Sequence, residues 1–253
     1  KYAIDTLLAQ AGNRTDERTG AVSTPIFLST AYGHHGIGES TGFDYTRTKN
    51  PTRAVLEETI AQLEKGERGF ACSSGMAAIQ LLMSLFTAPD EWIVSSDVYG
   101  GTYRLLDFCY KNTHGVKPVY VNTASVQAIE AAITPNTKAI FIETPSNPLM
   151  EECDVDAIAQ VAKRHNLLLI VDNTFLTPML FRPMEHGADI VVHSGTKYLA
   201  GHNDVLVGLI VAKGKELCDR LFYIQNGAGP VLSPFDSWLT IRGMKTLALR
   251  MQR

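Results

Sequence analysis

Lys197 closes the segment Asp189-Ile-Val-Val-His-Ser-Gly-Thr-Lys197, in which an apolar run leads into a short polar turn holding two hydroxyls, Ser194 and Thr196. Upstream, a second apolar run ends in acid, Leu167-Leu-Leu-Ile-Val-Asp172-Asn-Thr174. A lysine amine can form a Schiff base, hydroxyls can hold a phosphate, and an acid can keep a pyridine nitrogen protonated. Together these capacities suit pyridoxal 5′-phosphate (PLP). Singly they are ordinary, because a strand-end Asp commonly caps a helix or a turn and a Lys after a strand is commonly solvated.

Other residues fit the same chemistry. Ser73-Ser74-Gly75-Met76-Ala77-Ala78 places small residues where a strand turns into a helix. The free N–H groups and positive dipole end of such a helix attract an anion, and Gly75 lets the backbone approach a phosphate closely. An ordinary capped helix would read the same way, but the hydroxyls of Ser194 and Thr196 favour the phosphate. Tyr45-Thr46-Arg47 offers an Arg whose planar fork suits a phosphate, although a loop Arg is more commonly solvated. Tyr99, in Asp97-Val-Tyr99-Gly-Gly-Thr-Tyr-Arg104, follows an apolar run and precedes two glycines. Its ring could stack on a flat cofactor or belong to the core. The seven histidines make no metal-like spacing. Gly33, Gly36 and Gly38 lack the order and the preceding strand of a dinucleotide fingerprint.

The elements that must position these residues alternate from about residue 51 onward. Asn50-Pro51 reads as a cap with Pro at the first helical position, and Leu56, Ile60 and Leu63 follow at helical spacing up to Gly66. Strands are expected at 69–72, 92–95, 116–121, 138–143, 167–171, 189–193 and 206–211. Helices are expected from Ser73-Ser74-Gly75 to about Thr87 and over about 102–112, 125–133 and 154–166. Short apolar strands with helices between them imply an α/β fold whose mostly parallel sheet is covered on both faces. Ligands bind beyond the carboxyl ends of such strands, so one crevice could hold both Asp172 and the Ser194–Lys197 turn. Residues 13–50 are rich in Gly, Thr and Ser and lack periodicity, which suits either a disordered arm or one packed on a neighbouring subunit.

The chain has 253 residues, 45% hydrophobic, and a net charge of −3, which gives no electrostatic footprint for nucleic acid or an anionic membrane. No apolar run approaches the ~20 residues needed to span a bilayer. The four cysteines make no CxxC or metal spacing and read as reduced thiols of a cytoplasmic protein. No Met opens the chain, and a helical pattern still runs at Arg253, so a longer natural chain is expected.

Six stretches, in order along the chain, resemble the PLP-dependent cystathionine gamma-synthase, gamma-lyase and beta-lyase family of sulfur amino-acid enzymes. They are Tyr45-Thr-Arg47 with Asn50-Pro-Thr-Arg53, Ser73-Ser-Gly75-Met76-Ala, Asp97-Val-Tyr99-Gly-Gly-Thr, Glu143-Thr-Pro-Ser-Asn147-Pro148, Val171-Asp172-Asn-Thr174 and His193-Ser-Gly-Thr-Lys197-Tyr198. The resemblance implies the fold-type-I, aspartate-aminotransferase-like architecture, with Lys197 carrying PLP, Asp172 on the ring nitrogen and Tyr99 on the ring face. It implies a phosphate held by Gly75, Met76, Ser194 and Thr196, with Asn147 and Thr174 near the ring and its 3′-oxygen and Arg104 close to substrate. Tyr45 and Arg47 would reach the phosphate of a neighbouring subunit, with Tyr45 also near substrate, in a homotetramer built as a dimer of dimers. Residues 1–50 would be that arm and 51–253 the PLP-binding domain, without the smaller C-terminal domain that supplies an Arg for the substrate carboxylate. Gly101 stands where methionine gamma-lyases usually carry Cys. Phe43–Arg53 and Phe235-Asp-Ser-Trp-Leu with Arg242-Gly-Met-Lys-Thr-Leu look closest to bacterial gamma-synthases, which join an O-acylhomoserine to cysteine or sulfide, with the cystathionine lyases as the alternative.

Overall fold

The computed structural model describes residues 2–14 and 16–252. Seven strands form one sheet: β1 (Arg68–Cys72), β2 (Glu91–Ser95), β3 (Lys117–Val121), β4 (Thr137–Glu143), β5 (Leu168–Asp172), β6 (Ile190–Ser194) and β7 (Gly208–Ala212). Their order is β1-β7-β6-β5-β4-β2-β3. β7 runs antiparallel to both neighbours and the remaining pairs are parallel. The expected parallel α/β sheet is therefore present, with one reversed strand in it.

Both faces of the sheet are buried. Leu56, Ile158, Val171, Leu209 and Ile241 belong to one apolar cluster. Ile79, Leu82, Trp92, Phe141, Ile170 and Ile210 belong to the other. Fully burying each such side chain contributes ~1.5–3 kcal/mol. Successive strand residues alternate between the two layers, as Ile170 and Val171 do, and this alternation decides which strand-end side chains meet.

Helix α1 (Ile4–Ala9) precedes the arm, and α2 spans Pro51–Glu64. The Asn50 side chain accepts from the N–H groups of Thr52 and Arg53 at 2.9 and 3.1 Å, as the cap signal predicted. At the other end Lys65, not Gly66, takes the left-handed conformation, at φ 65°. Gly66 serves packing instead, since a Cβ there would lie 2.2 Å from Val211 Cγ1. Helix α3 (Gly75–Met83) stops short of the expected Thr87. The chain tightens there, with Leu85 and Phe86 N–H donating three residues back, and Phe86 sets its ring edge-on to Trp92 at 4.9 Å.

The helix expected over 102–112 begins at Gly100 as α4 (Gly100–Arg104) and widens into a π-helical stretch, Leu105–Tyr110. Apolar periodicity carried no sign of that widening. The C-terminal helical pattern resolves into Pro234–Met244 and Leu247–Met251. Gly243 sits against the Ala200 carbonyl, where a Cβ would lie 2.0 Å from the oxygen.

The arm is pinned by α2. Asn50 Nδ2 donates to Phe27 O at 2.9 Å, and Arg53 donates to Thr46 O at 2.8 Å and Arg47 O at 3.1 Å. Short bridges, Asn13 with Ser23 and Ala31 with Tyr45, replace the periodicity that the arm lacks.

Candidate active site

β4, β5 and β6 are neighbours, and their carboxyl ends bring together the acids and hydroxyls singled out in the sequence. Glu143 pairs in register with Asp172, and Asp172 with Val192. By alternation the side chains of Glu143, Asp172 and Ser194 emerge on the same face as Phe141, Ile170 and Val192, the face that α3 covers. There they line a cavity of about 190 Å³ together with Gly75, Met76, Tyr99, Asn147, Thr174, Thr196 and Lys197.

Local hydrogen bonds fix each wall. Asp172 Oδ1 accepts from the Thr174 N–H at 3.0 Å and from the Thr174 hydroxyl at 2.5 Å. The same hydroxyl accepts from the Ser194 N–H at 2.8 Å, so Thr174 ties the end of β5 to the end of β6. Thr196 Oγ1 and the Val207 backbone exchange bonds at 3.0 and 3.2 Å. Ser74 caps α3 by accepting from the Ala77 N–H at 3.0 Å. That leaves the Gly75 and Met76 N–H groups in the first turn without intrahelical acceptors. β7 passes close below, and a Cβ on Gly208 would lie 1.9 Å from Ser74 O.

Tyr99 is held by its backbone, whose N–H donates to Glu143 Oε2 at 2.9 Å. Tyr99 is 47% exposed, and its ring packs over Gly101, where a Cβ would come within 2.4 Å of Tyr99 Cε1. Asp97 accepts from the Leu149 N–H at 3.0 Å and from the Ser146 hydroxyl, which binds the loop carrying Asn147 to the loop carrying Tyr99.

Burial pushes the Asp172 carboxyl up from its usual range. The Thr174 hydroxyl and N–H and the nearby His193 imidazole pull it back down. Glu143 is pushed up to about 8, first by burial and then by repulsion from Asp172, against the pull of the Tyr99 and Asn147 N–H groups. Two buried carboxyls thus line one cavity that also holds a lysine, a cluster of perturbed groups of the kind found at functional sites.

PLP fits this donor set. The first turn of a nine-residue helix and the hydroxyls of Ser194 and Thr196 suit a phosphate, and Gly75 provides the room, since a Cβ there would meet Ser194 Cβ at 3.0 Å. Asp172 suits a protonated ring nitrogen, and Tyr99 offers a ring face. Thr102 Oγ1, which has no protein partner among the described residues, lies in the same cavity wall.

Three sequence candidates lie elsewhere. Tyr45 and Arg47 are exposed on the arm, with the guanidinium over the Tyr45 ring at 5.5 Å, and neither lines the cavity. Arg104, at the end of α4, is exposed and likewise outside the lining. Conversely, Glu143 was missed as a site residue. Its signal was present, because an acid ends the apolar run Lys138–Glu143 just as Asp172 ends its own. The apolar walls Ile79, Phe175 and Leu206 carried no signal beyond hydrophobicity.

A model of the family described as Cys/Met metabolism PLP-dependent enzymes matches residues 5–253. The chain is 85% identical over 253 residues to the cystathionine gamma-synthase of Haemophilus influenzae, covering 100% of this chain and 69% of the relative. It is 61% identical over 250 residues to the cystathionine gamma-synthase/O-acetylhomoserine (thiol)-lyase of Bacillus subtilis, covering 99% and 67%. Among solved structures, cystathionine gamma-lyase from Lactobacillus plantarum complexed with L-serine superposes with a TM-score of 0.95 at 48% identity, over 98% of this chain and 65% of that one. Cystathionine gamma synthase from Xanthomonas oryzae pv. oryzae in complex with cystathionine gives 0.95 at 40% identity, over 98% and 64%. The chain spans about two thirds of the length of these relatives.

Proposed function

The chain belongs to the family of Cys/Met metabolism PLP-dependent enzymes, and on that premise we propose that it is the cofactor-binding part of a cystathionine gamma-synthase. The reaction replaces the acyloxy group of an O-acylhomoserine by the thiol of cysteine. The observation that carries the reading is Lys197, Asp172 and the α3 N-terminus around one cavity in a chain 85% identical to a gamma-synthase. The lyases matched are less similar, at 51% for a gamma-lyase and 49% for a beta-lyase.

Bound PLP supplies an electron sink that acidifies the carbons next to the substrate amine. The chain's own residues do the rest. The α3 N–H groups, Ser194 and Thr196 hold the phosphate. Asp172, steadied by Thr174, would pair with the protonated ring nitrogen, whose charge would favour the ionised carboxyl against the upward push of burial. Tyr99 would cover one ring face and Asn147 would lie beside the ring, with Phe175 and Ile79 as apolar walls of the cavity. Lys197 would hold the cofactor and, once free, would be placed to carry protons between neighbouring substrate carbons. Arg104 is assigned a place close to the substrate.

The exposure of Tyr45 and Arg47, and their absence from the cavity of their own subunit, support a role at a neighbouring subunit's phosphate within a homo-oligomer. Residues 1–50 are read as that arm and 51–253 as the PLP-binding domain. The four free cysteines support a reducing, cytoplasmic setting.

The test supplies the purified holoenzyme with O-acetyl- or O-succinylhomoserine plus cysteine, and separately with cystathionine alone. Cystathionine formed from an acylhomoserine is the expected result. Keto acid and ammonia from cystathionine, with no synthesis, would replace this reading by a lyase.

A further inference from the structure

On the sheet face opposite the cavity lies a polar cluster that the proposed chemistry does not touch. Glu64 ends α2, His193 is the penultimate residue of β6, and Asn173 follows β5. All three are 0% exposed. His193 Nε2 lies 2.7 Å from Glu64 Oε1, and Asn173 Nδ2 donates to the same oxygen at 3.0 Å and to Phe181 O at 2.9 Å. Glu64 Oε2, His193 Nδ1 and Asn173 Oδ1 have no protein partner among the described residues.

Stability does not account for this cluster. Each buried polar atom left unpaired costs ~1–3 kcal/mol. Well-packed apolar residues in place of a buried polar or charged cluster are commonly as stable or more so. The layer around it shows the alternative, being built from Val171, Val191, Leu209 and other aliphatic side chains.

Its place in the fold does account for it. Asn173 stands between Asp172 and Thr174, and His193 between Val192 and Ser194, so the neighbours of both residues face the cavity. The Asn173 N–H also donates to Val192 O at 3.0 Å, crossing from one strand end to the other. Through one carboxylate oxygen, Glu64 joins the strand end that carries Asp172 and Thr174 to the strand end that carries Ser194 and leads into Lys197. Directly above, on the cavity side, the Thr174–Ser194 bond of 2.8 Å spans the same two ends.

We propose that Glu64, His193 and Asn173 are positioning residues, which fix from behind the sheet the spacing between the Asp172–Thr174 and Ser194–Lys197 walls of the cavity. The proposal rests on the reading of that cavity as a PLP site. It assigns none of the three a contact with cofactor or substrate.

The test is PLP titration of the cofactor-free protein, followed by the visible absorption of bound PLP, with urea unfolding as a separate measure of stability. Glu64→Leu removes the shared oxygen, and Asn173→Ala removes one strand's link to it. Each is expected to weaken PLP binding about tenfold, the equivalent of ~1.4 kcal/mol, and to shift the visible band to shorter wavelength. Glu64→Gln keeps the acceptor in place and is expected to bind within about threefold of the wild type. If Glu64→Leu does not fold, Asn173→Ala decides. Wild-type affinity and an unchanged band in whichever of these variants fold, however much stability they lose, would reduce the cluster to a structural role and overturn the proposal. Failure of the wild-type protein itself to develop a visible band with PLP would instead overturn the cofactor reading.

Discussion

Thr174→Val is the perturbation that best separates a cofactor floor from a mere strand end. The substitution keeps shape and removes one oxygen. That oxygen donates to Asp172 at 2.5 Å and accepts from the Ser194 N–H at 2.8 Å. A hydrogen bond to a charged group contributes ~1.5–3 kcal/mol, and a buried N–H without an acceptor costs ~1–3 kcal/mol. Both figures are discounted here, because Asp172 keeps the Thr174 N–H at 3.0 Å and Ser194 is half-buried. The expected total is about 2–3 kcal/mol, divided between the cofactor-free fold and the bound state. Assigning half of it to binding predicts a PLP affinity about tenfold weaker, at 1.4 kcal/mol per decade. The assay is PLP titration beside urea unfolding, with Thr174→Ser as the control that retains the hydroxyl. A Val variant that binds PLP as tightly as wild type and unfolds within about 0.5 kcal/mol of it would refute the reasoning, since that is the scale on which unrelated substitutions scatter.

Three further outcomes are expected. Gly101→Ala places a Cβ 2.4 Å from Tyr99 Cε1, so the ring must swing off the cavity, and PLP titration should show weaker binding with little loss of thermal stability. Gly208→Ala places a Cβ 1.9 Å from the Ser74 backbone oxygen, which no rotamer relieves; destabilisation of about 3 kcal/mol or more should appear in urea unfolding. Glu143, pushed up to about 8 in the fold, still holds its proton there when the unfolded chain has lost it. Stability of the cofactor-free protein should therefore fall as pH rises from the ordinary carboxyl range towards 8 and level off above it. Glu143→Gln should remove that part of the slope, and an identical slope in both proteins would show that Glu143 does not titrate as described.

The route from sequence to site was unevenly legible. Strand-end chemistry singled out Asp172, Ser194, Thr196 and Lys197, which the structure brings to one cavity, because apolar runs ending in polar residues mark the carboxyl edge of a buried parallel sheet. Asn50 and Ser74 were readable as caps because their side chains satisfy local N–H groups. What escaped depends on partners distant in sequence. The reversal of β7 is set by pairing with β1 and β6, not by its own residues. Glu143 becomes a site residue only because β4 lies beside β5, and the Glu64–His193 pair joins residues far apart along the chain. The π-helical widening at Leu105–Tyr110 leaves the apolar pattern unchanged and so left no trace.

The most direct measurement locates the bound cofactor on the chain. The protein is loaded with PLP, reduced with borohydride to fix the cofactor to the lysine that holds it, digested, and mapped by mass spectrometry. The account predicts one label per chain, on Lys197, and its loss in Lys197→Ala. A label on any other lysine, or no label under conditions where PLP binds, would contradict it.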